Sequence, residues 1–355
     1  MAQYRGQLPD AELAIRRPFE LGLAAMAACQ WDRAIGHLRS ARARAGGAQL
    51  IPLCNQIGVC HYRQGRPDDA LREFDEAARL ATWHRDEVGR APALGNIGVV
   101  LHDFGELAGA LDALSEALAR TRGDRAVTAS CLGNIANIHH DQGELDQALQ
   151  FNEEALATSR SNEDSSGVAC ALANTGSVHR DRGRLGKALR YYREALAIAS
   201  DIGDRLAKAS ILGNIGTIHH YRGDLDQALQ FNEEALALER ETEHLAGVAS
   251  ALGNIGLILA DKGLYRQAVP ALTEALDMML ALGIAHGPRQ ALTGLSRCDD
   301  RLGRAGMPEM LKRAGLAEGS IADLLERIDQ TRRRRPQPRS GRRIPFFLRR
   351  LAAGA

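Results

Sequence analysis

Asparagine side chains recur at one position of a repeated motif, which makes them the most regularly spaced chemical groups of this chain. They lie in LGNIG, LGNIA, LANTG, LGNIG and LGNIG, as Asn96, Asn134, Asn174, Asn214 and Asn254. An Asn amide both donates and accepts hydrogen bonds, so a row of them can hold the backbone of an extended peptide. The spacing therefore predicts a binding surface. The alternative is that these amides bond to neighbouring repeats and hold the array together.

Carboxylates and other polar groups share this face. By helical periodicity, Asn96 lies about 150° from the apolar stripe of its own helix, on the side that also carries Asp103. The further candidate groove residues on this face are Asn137, Thr217, Asp103, Asp141, Asp181 and Asp261. The acids would favour a basic ligand, and they are equally consistent with solvated carboxylates near a helix end.

Two pairs of adjacent histidines raise the question of a metal site. They are His139 with His140 and His219 with His220. Adjacent residues on a helix diverge by about 100°, and packed helices stand about 8 to 10 Å apart, so these rings would not converge on one tetrahedral ion. We expect His139, His179 and His219 to pack inside the repeats. Because the sequence also lacks the common hydrolase, phosphate-loop and dinucleotide motifs, we predict no enzyme activity, metal or cofactor.

The charge of the chain is segregated. Residues 331–355 hold nine of the 45 basic residues and no acid, so the preceding residues carry 45 − 9 = 36 basic against 44 acidic side chains. The candidate binding residues of this tail are Arg332, Arg333, Arg334, Arg335, Arg342, Arg343, Arg349 and Arg350. Such a tail suits nucleic acid, an anionic membrane surface or the acidic body of this chain itself, and a disordered solubilising tail is the plain alternative.

The elements that must position these residues are pairs of helices. The asparagines are 38, 40, 40 and 40 residues apart, a period typical of two-helix units that stack into a solenoid. Between residues 125 and 162, two segments of helical length flank Gly143. Gly143 can end the first helix in a left-handed conformation that a side chain would resist. The sequence thus predicts two antiparallel helices in each repeat.

Small residues recur where the two helices of a repeat must approach closely. The three columns are Gly22, Gly58, Gly98, Ala136, Gly176, Gly216 and Gly256; Ala34, Ala70, Ala110, Ala148, Ala188, Ala228 and Ala268; and Ala41, Ala77, Ala117, Ala155, Ala195, Ala235 and Ala275. Together they predict seven two-helix repeats that begin near residue 11.

This pattern of small residues and turn glycines resembles the tetratricopeptide repeat, and the LGNIG motif with its 40-residue period looks most like the Pins/LGN and kinesin light chain type. The resemblance implies a right-handed superhelix whose concave groove binds peptides through the asparagine column. Asn152 and Asn232 depart from it, because the family usually has an aromatic residue there. Glu20 and Gln56 depart as well, since they take the asparagine position in the first two repeats.

We therefore expect an all-α protein with four parts: an extension over residues 1–10, the repeat array over 11–287, divergent capping helices over 288–330 and a disordered basic tail over 331–355. The six cysteines form no CxxC pair and are expected to be reduced. No signal peptide or apolar run of about 18 residues is evident, which favours the cytoplasm. The predicted function is an adaptor that binds a segment of another protein. The alternative is a tether that acts through the arginine tail on nucleic acid or a membrane.

Overall fold

The computed structural model describes residues 10–121, 123–284, 287–314 and 316–333. These residues form sixteen α-helices and one 3-10 turn at Gly47–Gln49, with no strand in the described part of the chain, and the all-α prediction is confirmed. The helices are α1 (Asp10–Ala27), α2 (Trp31–Arg42), α3 (Leu50–Arg63), α4 (Pro67–Trp83), α5 (Glu87–Asp103), α6 (Leu107–Arg120), α7 (Arg125–Asp141), α8 (Leu145–Ser161), α9 (Ser165–Asp181), α10 (Leu185–Asp201), α11 (Arg205–Arg222), α12 (Leu225–Glu241), α13 (Leu245–Asp261), α14 (Tyr265–Ala281), α15 (Pro288–Arg313) and α16 (Glu318–Arg333).

Seven helix pairs, from α1 with α2 to α13 with α14, form the repeats, which we number 1 to 7. Within each pair, the turn after the first helix contains a residue with positive φ. Gly143 takes φ 79° as the sequence predicts, and Cys29 occupies the corresponding turn of repeat 1 with φ 56°. The start of the first helix is fixed by aspartate caps in repeats 3 to 6, whose carboxylates accept backbone N–H groups of the first turn. They are Asp86, Asp124, Asp164 and Asp204.

The predicted columns form the core of each repeat. Every alanine of the two alanine columns is at most 2% exposed. The glycine column lies against a large side chain of the second helix: a Cβ added to Gly98 would stand 2.6 Å from Cγ of Leu114, and one added to Gly256 would stand 2.6 Å from Cγ of Leu272. Glycine is therefore required at these positions for the two helices to pack at this distance.

The array curves so that the odd-numbered helices lie inside. In the described chain, each odd-numbered helix from α3 to α13 approaches the next odd-numbered helix far more closely than the even-numbered helices approach one another. Because the inner side of a curved stack is the shorter one, α3, α5, α7, α9, α11 and α13 line the concave side. We call them the inner helices. They carry all five asparagines of the column.

The two ends of the array meet at a seam. The Trp31 Nε1–H of repeat 1 donates a hydrogen bond of 3.1 Å to the carbonyl oxygen of Thr242, which follows repeat 6. Leu206 of α11 packs on the same apolar cluster as Trp31, and Leu282 lies directly against Gly65 of repeat 2. The solenoid thus completes a turn and closes on itself.

A helical cap covers the last repeat. α15 has a kink at Gly303, which has φ 74°. Ile321, Leu324 and Ile328 of α16 are buried in one core with Leu272 of repeat 7. The boundaries assigned from the sequence at residues 10, 287 and 330 stay predictions. Along the described residues, no helix is long and apolar enough to cross a membrane.

Candidate functional site

The five asparagines lie on five consecutive inner helices, from α5 to α13, and each is half-buried. Asn214 Oδ1 accepts a hydrogen bond of 3.4 Å from Arg180 Nη1 of the preceding repeat. Asn174 Nδ2 is buried beside Gly133 of the preceding repeat and has no hydrogen-bond partner among the described residues. The hydrogen bond between repeats therefore uses only the Oδ1 atom of Asn214. The Nδ2 donor of Asn174 stays unused. Ligand contact by the column stays a prediction.

The other polar residues predicted for this face also lie on inner helices. Asn137 and Thr217 are half-buried, and the Thr217 hydroxyl donates to the Gly213 carbonyl of its own helix at 3.0 Å. The four predicted aspartates are exposed at the ends of α5, α7, α9 and α13. The structure thus brings the candidate residues to one curved surface, as helical periodicity requires.

Each predicted aspartate is bonded to the repeat before it. Asp103 accepts the Tyr62 hydroxyl at 2.5 Å, and Asp141 pairs with His102 Nε2 at 2.8 Å. His140 pairs with Asp181 and His220 with Asp261, each at 2.7 Å between Nε2 and Oδ2. We call these four contacts the ring–acid ladder. They link successive repeats, a role that neither sequence interpretation of the acids included.

Repeat 5 interrupts the ladder. Arg180 takes the place of a ring residue, Tyr221 takes the place of the next aspartate, and Arg180 Nε donates to the adjacent Asp181 at 2.7 Å. Burial would raise the pKa of Asp181, but hydrogen bonds from His140 and Arg180 hold it well below its usual range. In the previous rung, the hydrogen bond to Asp141 raises the pKa of His102, although burial opposes it. The ladder thus consists of charge-assisted contacts.

The histidines that the sequence assigned to the repeat interior stack on aromatic rings of the second helix. His139 lies on Phe151, His179 on Tyr191 and His219 on Phe231, with ring centroids 5.2, 5.3 and 5.4 Å apart. Burial lowers the pKa of His179. The packing interpretation is confirmed. Within the described ranges, no group of three or more His, Cys, Asp or Glu side chains is arranged to hold a metal ion.

A cavity of about 750 Å³ lies on the concave side, between the inner helices α9, α11 and α13 on one side and the ends of α3 and α5 on the other. We call it the axial cavity. Asn214, Asn254 and the adjacent Gly213 line one wall, together with hydroxyl groups of α9, α11 and α13. The opposite wall comes from repeats 2 and 3, because the closure at the seam brings them across the axis. Its described polar residues are Tyr62, Arg63 and Asp103.

Cys170 is exposed and also lines this cavity, whereas Cys54, Cys60, Cys131 and Cys298 are buried. None of the six cysteines is joined in a disulfide, and their reduced state stays a prediction. Of the arginines assigned to the basic tail, Arg332 and Arg333 are the last two residues of α16. The other candidates, Arg334, Arg335, Arg342, Arg343, Arg349 and Arg350, lie outside the described residues.

Paired helices, buried alanine columns and turn glycines define a helical-repeat protein. Models of the tetratricopeptide repeat match residues 48–123, 89–161, 167–241 and 249–278, which together cover more than half of the chain. This chain belongs to the tetratricopeptide repeat family. Its likeness to the Pins/LGN and kinesin light chain type stays a prediction. A comparison with curated proteins found no match.

Several solved structures share the fold. A Rap protein complexed with competence and sporulation factor is 16% identical with a TM-score of 0.60, over 91% of this chain and 98% of that chain. The Rap conjugation gene regulator of plasmid pLS20, in complex with the Phr* peptide, is 17% identical with a TM-score of 0.62, over 81% and 82%. The APC/C hetero-tetramer Cut9–Hcn1 contains a chain that is 14% identical with a TM-score of 0.61, over 86% and 54%. At these identities the likeness concerns the fold alone.

Proposed function

We propose that this chain is a protein-interaction scaffold, which binds an extended or helical segment of a partner protein along its concave surface and does no chemistry of its own. The observation that carries the proposal is the asparagine column. Five half-buried amides follow one another on the inner helices, and the buried Nδ2 of Asn174 has no partner in the described chain. A buried donor without an acceptor costs free energy, which a ligand carbonyl would recover.

The surroundings of the column suit a peptide backbone. Gly133 and Gly213 lie one residue before Asn134 and Asn214, and a Cβ added to either glycine would have nothing nearer than 4.0 Å beyond its own helix. The absence of a side chain lets a ligand backbone come close. One structural neighbour, the pLS20 regulator, is in complex with a peptide. For this chain, that neighbour supports a peptide ligand by analogy of fold only.

The arginine tail gives the proposal a regulatory part. Nine arginines follow a body with an excess of eight acidic over basic residues, since 44 − 36 = 8. Because the tail and the body belong to one chain, the effective concentration of the tail near the body is high, and their opposite charges favour contact. We propose that the tail competes with the partner for the body of the chain.

The test captures partners from an extract of the producing cells with the full-length chain as bait. Replacement of Asn134, Asn174 and Asn214 by Ala should reduce capture of the main partner by about 10-fold or more, since each lost amide contact contributes about 0.5 to 1.5 kcal/mol. The matched control replaces Gln147, Gln227 and Gln230, which are exposed amides on even-numbered helices, and should leave capture unchanged. If both variants capture the partner equally well, at equal helicity and melting temperature, the concave surface is not the binding site.

Deletion of residues 331–355 separates the scaffold from the tether that acts through the tail. Capture that persists or rises after the deletion supports the scaffold, and a rise supports inhibition by the tail. If all association disappears with the tail, the chain is instead a tether to nucleic acid or to a membrane surface. Retention on DNA and on vesicles that contain phosphatidylserine then distinguishes these two surfaces.

A further inference from the structure

Repeat 5 lacks two acids that its neighbours carry at the turn between their helices. The acids are Glu144 and Asp146 in repeat 4 and Asp224 and Asp226 in repeat 6. The corresponding residues of repeat 5 are Arg184 and Gly186. Each of the four acids has a partner, so the loss of both acids in repeat 5 removes negative charge from two places where other groups are arranged to receive it.

The first acid is the partner of a buried histidine. His139 Nδ1 lies 2.6 Å from Glu144, and His219 Nδ1 lies 3.4 Å from Asp224. The equivalent His179 is only 7% exposed, and its Nδ1 has no hydrogen-bond partner among the described residues. All three histidines stack on a ring of the second helix in the same way. His179 Nδ1 therefore faces the position that an acid fills in repeats 4 and 6.

The second acid pairs with a cation of the following repeat. Asp146 pairs with Arg182, and Asp226 pairs with Lys262, in both cases over 36 residues. The same offset leads from Gly186 to Arg222, whose exposed side chain has no ion pair in the described part of the chain. A Cβ added to Gly186 would meet nothing within 4 Å, so the place of the missing carboxylate is open.

The turn of repeat 5 is basic and leads into a helix N-terminus. Residues 179–190 hold five cations and one acid, whereas residues 139–150 of repeat 4 hold three acids and no Lys or Arg. The one acid, Asp181, is already bonded to His140 and Arg180. α10 has neither a side-chain cap nor an acid in its first turn, and its first N–H groups lack a partner inside the helix. Such N–H groups favour an anion.

We propose that the turn between α9 and α10 binds a phosphate group. Its oxygens accept hydrogen bonds from Nδ1–H of His179 and from the first N–H groups of α10. The cations beside it are Arg184, Lys187 and Arg222, which are exposed and have no ion pair with a described residue. A phosphate monoester carries nearly the charge of the two missing carboxylates, and its three terminal oxygens accept from several directions. A single carboxylate supplies half of that charge.

Free phosphate and a phosphorylated side chain of another protein share this chemistry. The test titrates the full-length chain with inorganic phosphate and with blocked alanine peptides that carry a central phosphoserine, serine or glutamate. Calorimetry at physiological ionic strength measures the affinity, and NMR follows the ring nitrogens of His179. Binding of the phosphoserine peptide alone would assign the site to a phosphorylated protein, and binding of inorganic phosphate as well would assign it to the phosphate group itself.

The variants rebuild the acids of the neighbouring repeats. Arg184→Glu restores the first acid and Gly186→Asp the second. Arg193→Glu is the matched control, because it makes the same charge change as Arg184→Glu on an exposed residue nine positions further along α10. Gly186→Asn fills the space of the second acid without its charge. Circular dichroism and the melting temperature verify that all variants fold like wild type.

Wild type and Arg193→Glu should bind a phosphate probe and shift the ring signals of His179. Arg184→Glu should weaken binding by about 10- to 100-fold, as expected for the loss of hydrogen bonds to a charged group. Gly186→Asp should weaken binding as well, and Gly186→Asn should weaken it less, because the added carboxylate repels the phosphate and pairs with Arg222.

Four results would overturn the proposal. The first is that wild type binds neither inorganic phosphate nor the phosphoserine peptide. The second is that Arg184→Glu binds as tightly as wild type, and the third is an equal loss in Arg193→Glu, which would indicate attraction by overall charge. The fourth is equal affinity for the glutamate peptide, which would make the site one for carboxylates. Replacement of the three central asparagines should leave phosphate binding unchanged, so this site and the concave surface can fail separately.

Discussion

Repeats 4 and 6 share a 15-residue segment that is almost identical in sequence, and repeat 5 between them differs there. GELDQALQFNEEALA and GDLDQALQFNEEALA, which begin at Gly143 and Gly223, differ at one residue. At the core position opposite the glycine column, repeats 4 and 6 have Asn152 and Asn232, whereas repeat 5 has Tyr192. All three side chains are fully buried. The same two-helix repeat thus accommodates either an amide or an aromatic ring at this buried position.

The difference lies in how well the buried polar atoms are satisfied. The Tyr192 hydroxyl is 2.9 Å from the Ser177 hydroxyl, and the Tyr192 ring fills the space beside Gly176. Asn232 donates from Nδ2 to the Ala228 carbonyl at 2.8 Å, but Oδ1 of both Asn152 and Asn232 has no hydrogen-bond partner among the described residues. At this core position, repeat 5 therefore has a polar atom with a hydrogen-bond partner, whereas repeats 4 and 6 each have an amide oxygen without one.

The largest effect should come from making repeat 5 like its neighbours. Tyr192→Asn removes a fully buried ring, and we expect it to lower the free energy of unfolding by about 3 to 5 kcal/mol. Urea denaturation followed by circular dichroism measures this change. The control Tyr192→Phe keeps the ring and loses only the bond to Ser177, for about 1 kcal/mol. Equal losses in the two variants would show that the hydroxyl, and not the ring, stabilises repeat 5.

The opposite change removes the polar defect. Asn232→Leu should raise the free energy of unfolding by about 1 to 2 kcal/mol, because it removes an unsatisfied buried oxygen. Repeats 3 and 7 already place a leucine against glycine here, as Leu114 and Leu272 do. Asn152→Leu is the matched control and should gain less, since Ala136 stands where repeat 6 has Gly216. A loss of stability in Asn232→Leu would mean that the amide makes a favourable contact in solution.

These repeats also show what a sequence can predict. The alanine and glycine columns recur seven times, so the number of repeats, the helix pairs and the buried faces follow from periodicity alone. The asparagine column follows in the same way. Asn152 is an example. A polar side chain is usually exposed, but the position of Asn152 in the repeat assigns it to the buried face of its helix, where it lies.

The ring–acid ladder and the seam depend on how each repeat is shifted and rotated relative to the one before it. His102 and Asp141 are 39 residues apart, and their contact requires the offset of one inner helix from the next. The ring residues Tyr62, His102, His140 and His220 recur at one position of the repeat, next to the aspartate position, and this recurrence could have suggested the pairs. The contact of Trp31 with Thr242 depends on the sum of all rotations over six repeats, which no local pattern specifies. The two-walled cavity was therefore beyond the sequence.

The smallest effect concerns the turn that ends each of these repeats. Glu163 and Glu243 take φ 55° and 53° there, whereas repeat 5 has Gly203 with φ 70°. Side chains with a Cβ resist the left-handed conformation, so Glu163→Gly should raise the free energy of unfolding by about 0.5 to 1 kcal/mol, the gain being limited by the greater freedom of glycine in the unfolded chain. Gly203→Glu should lower it by a similar amount. Urea denaturation of both variants and of Glu163→Ala, which keeps the strain without the charge, measures the effect. If Glu163→Ala gains as much as Glu163→Gly, the charge and not the backbone would account for the difference between the repeats.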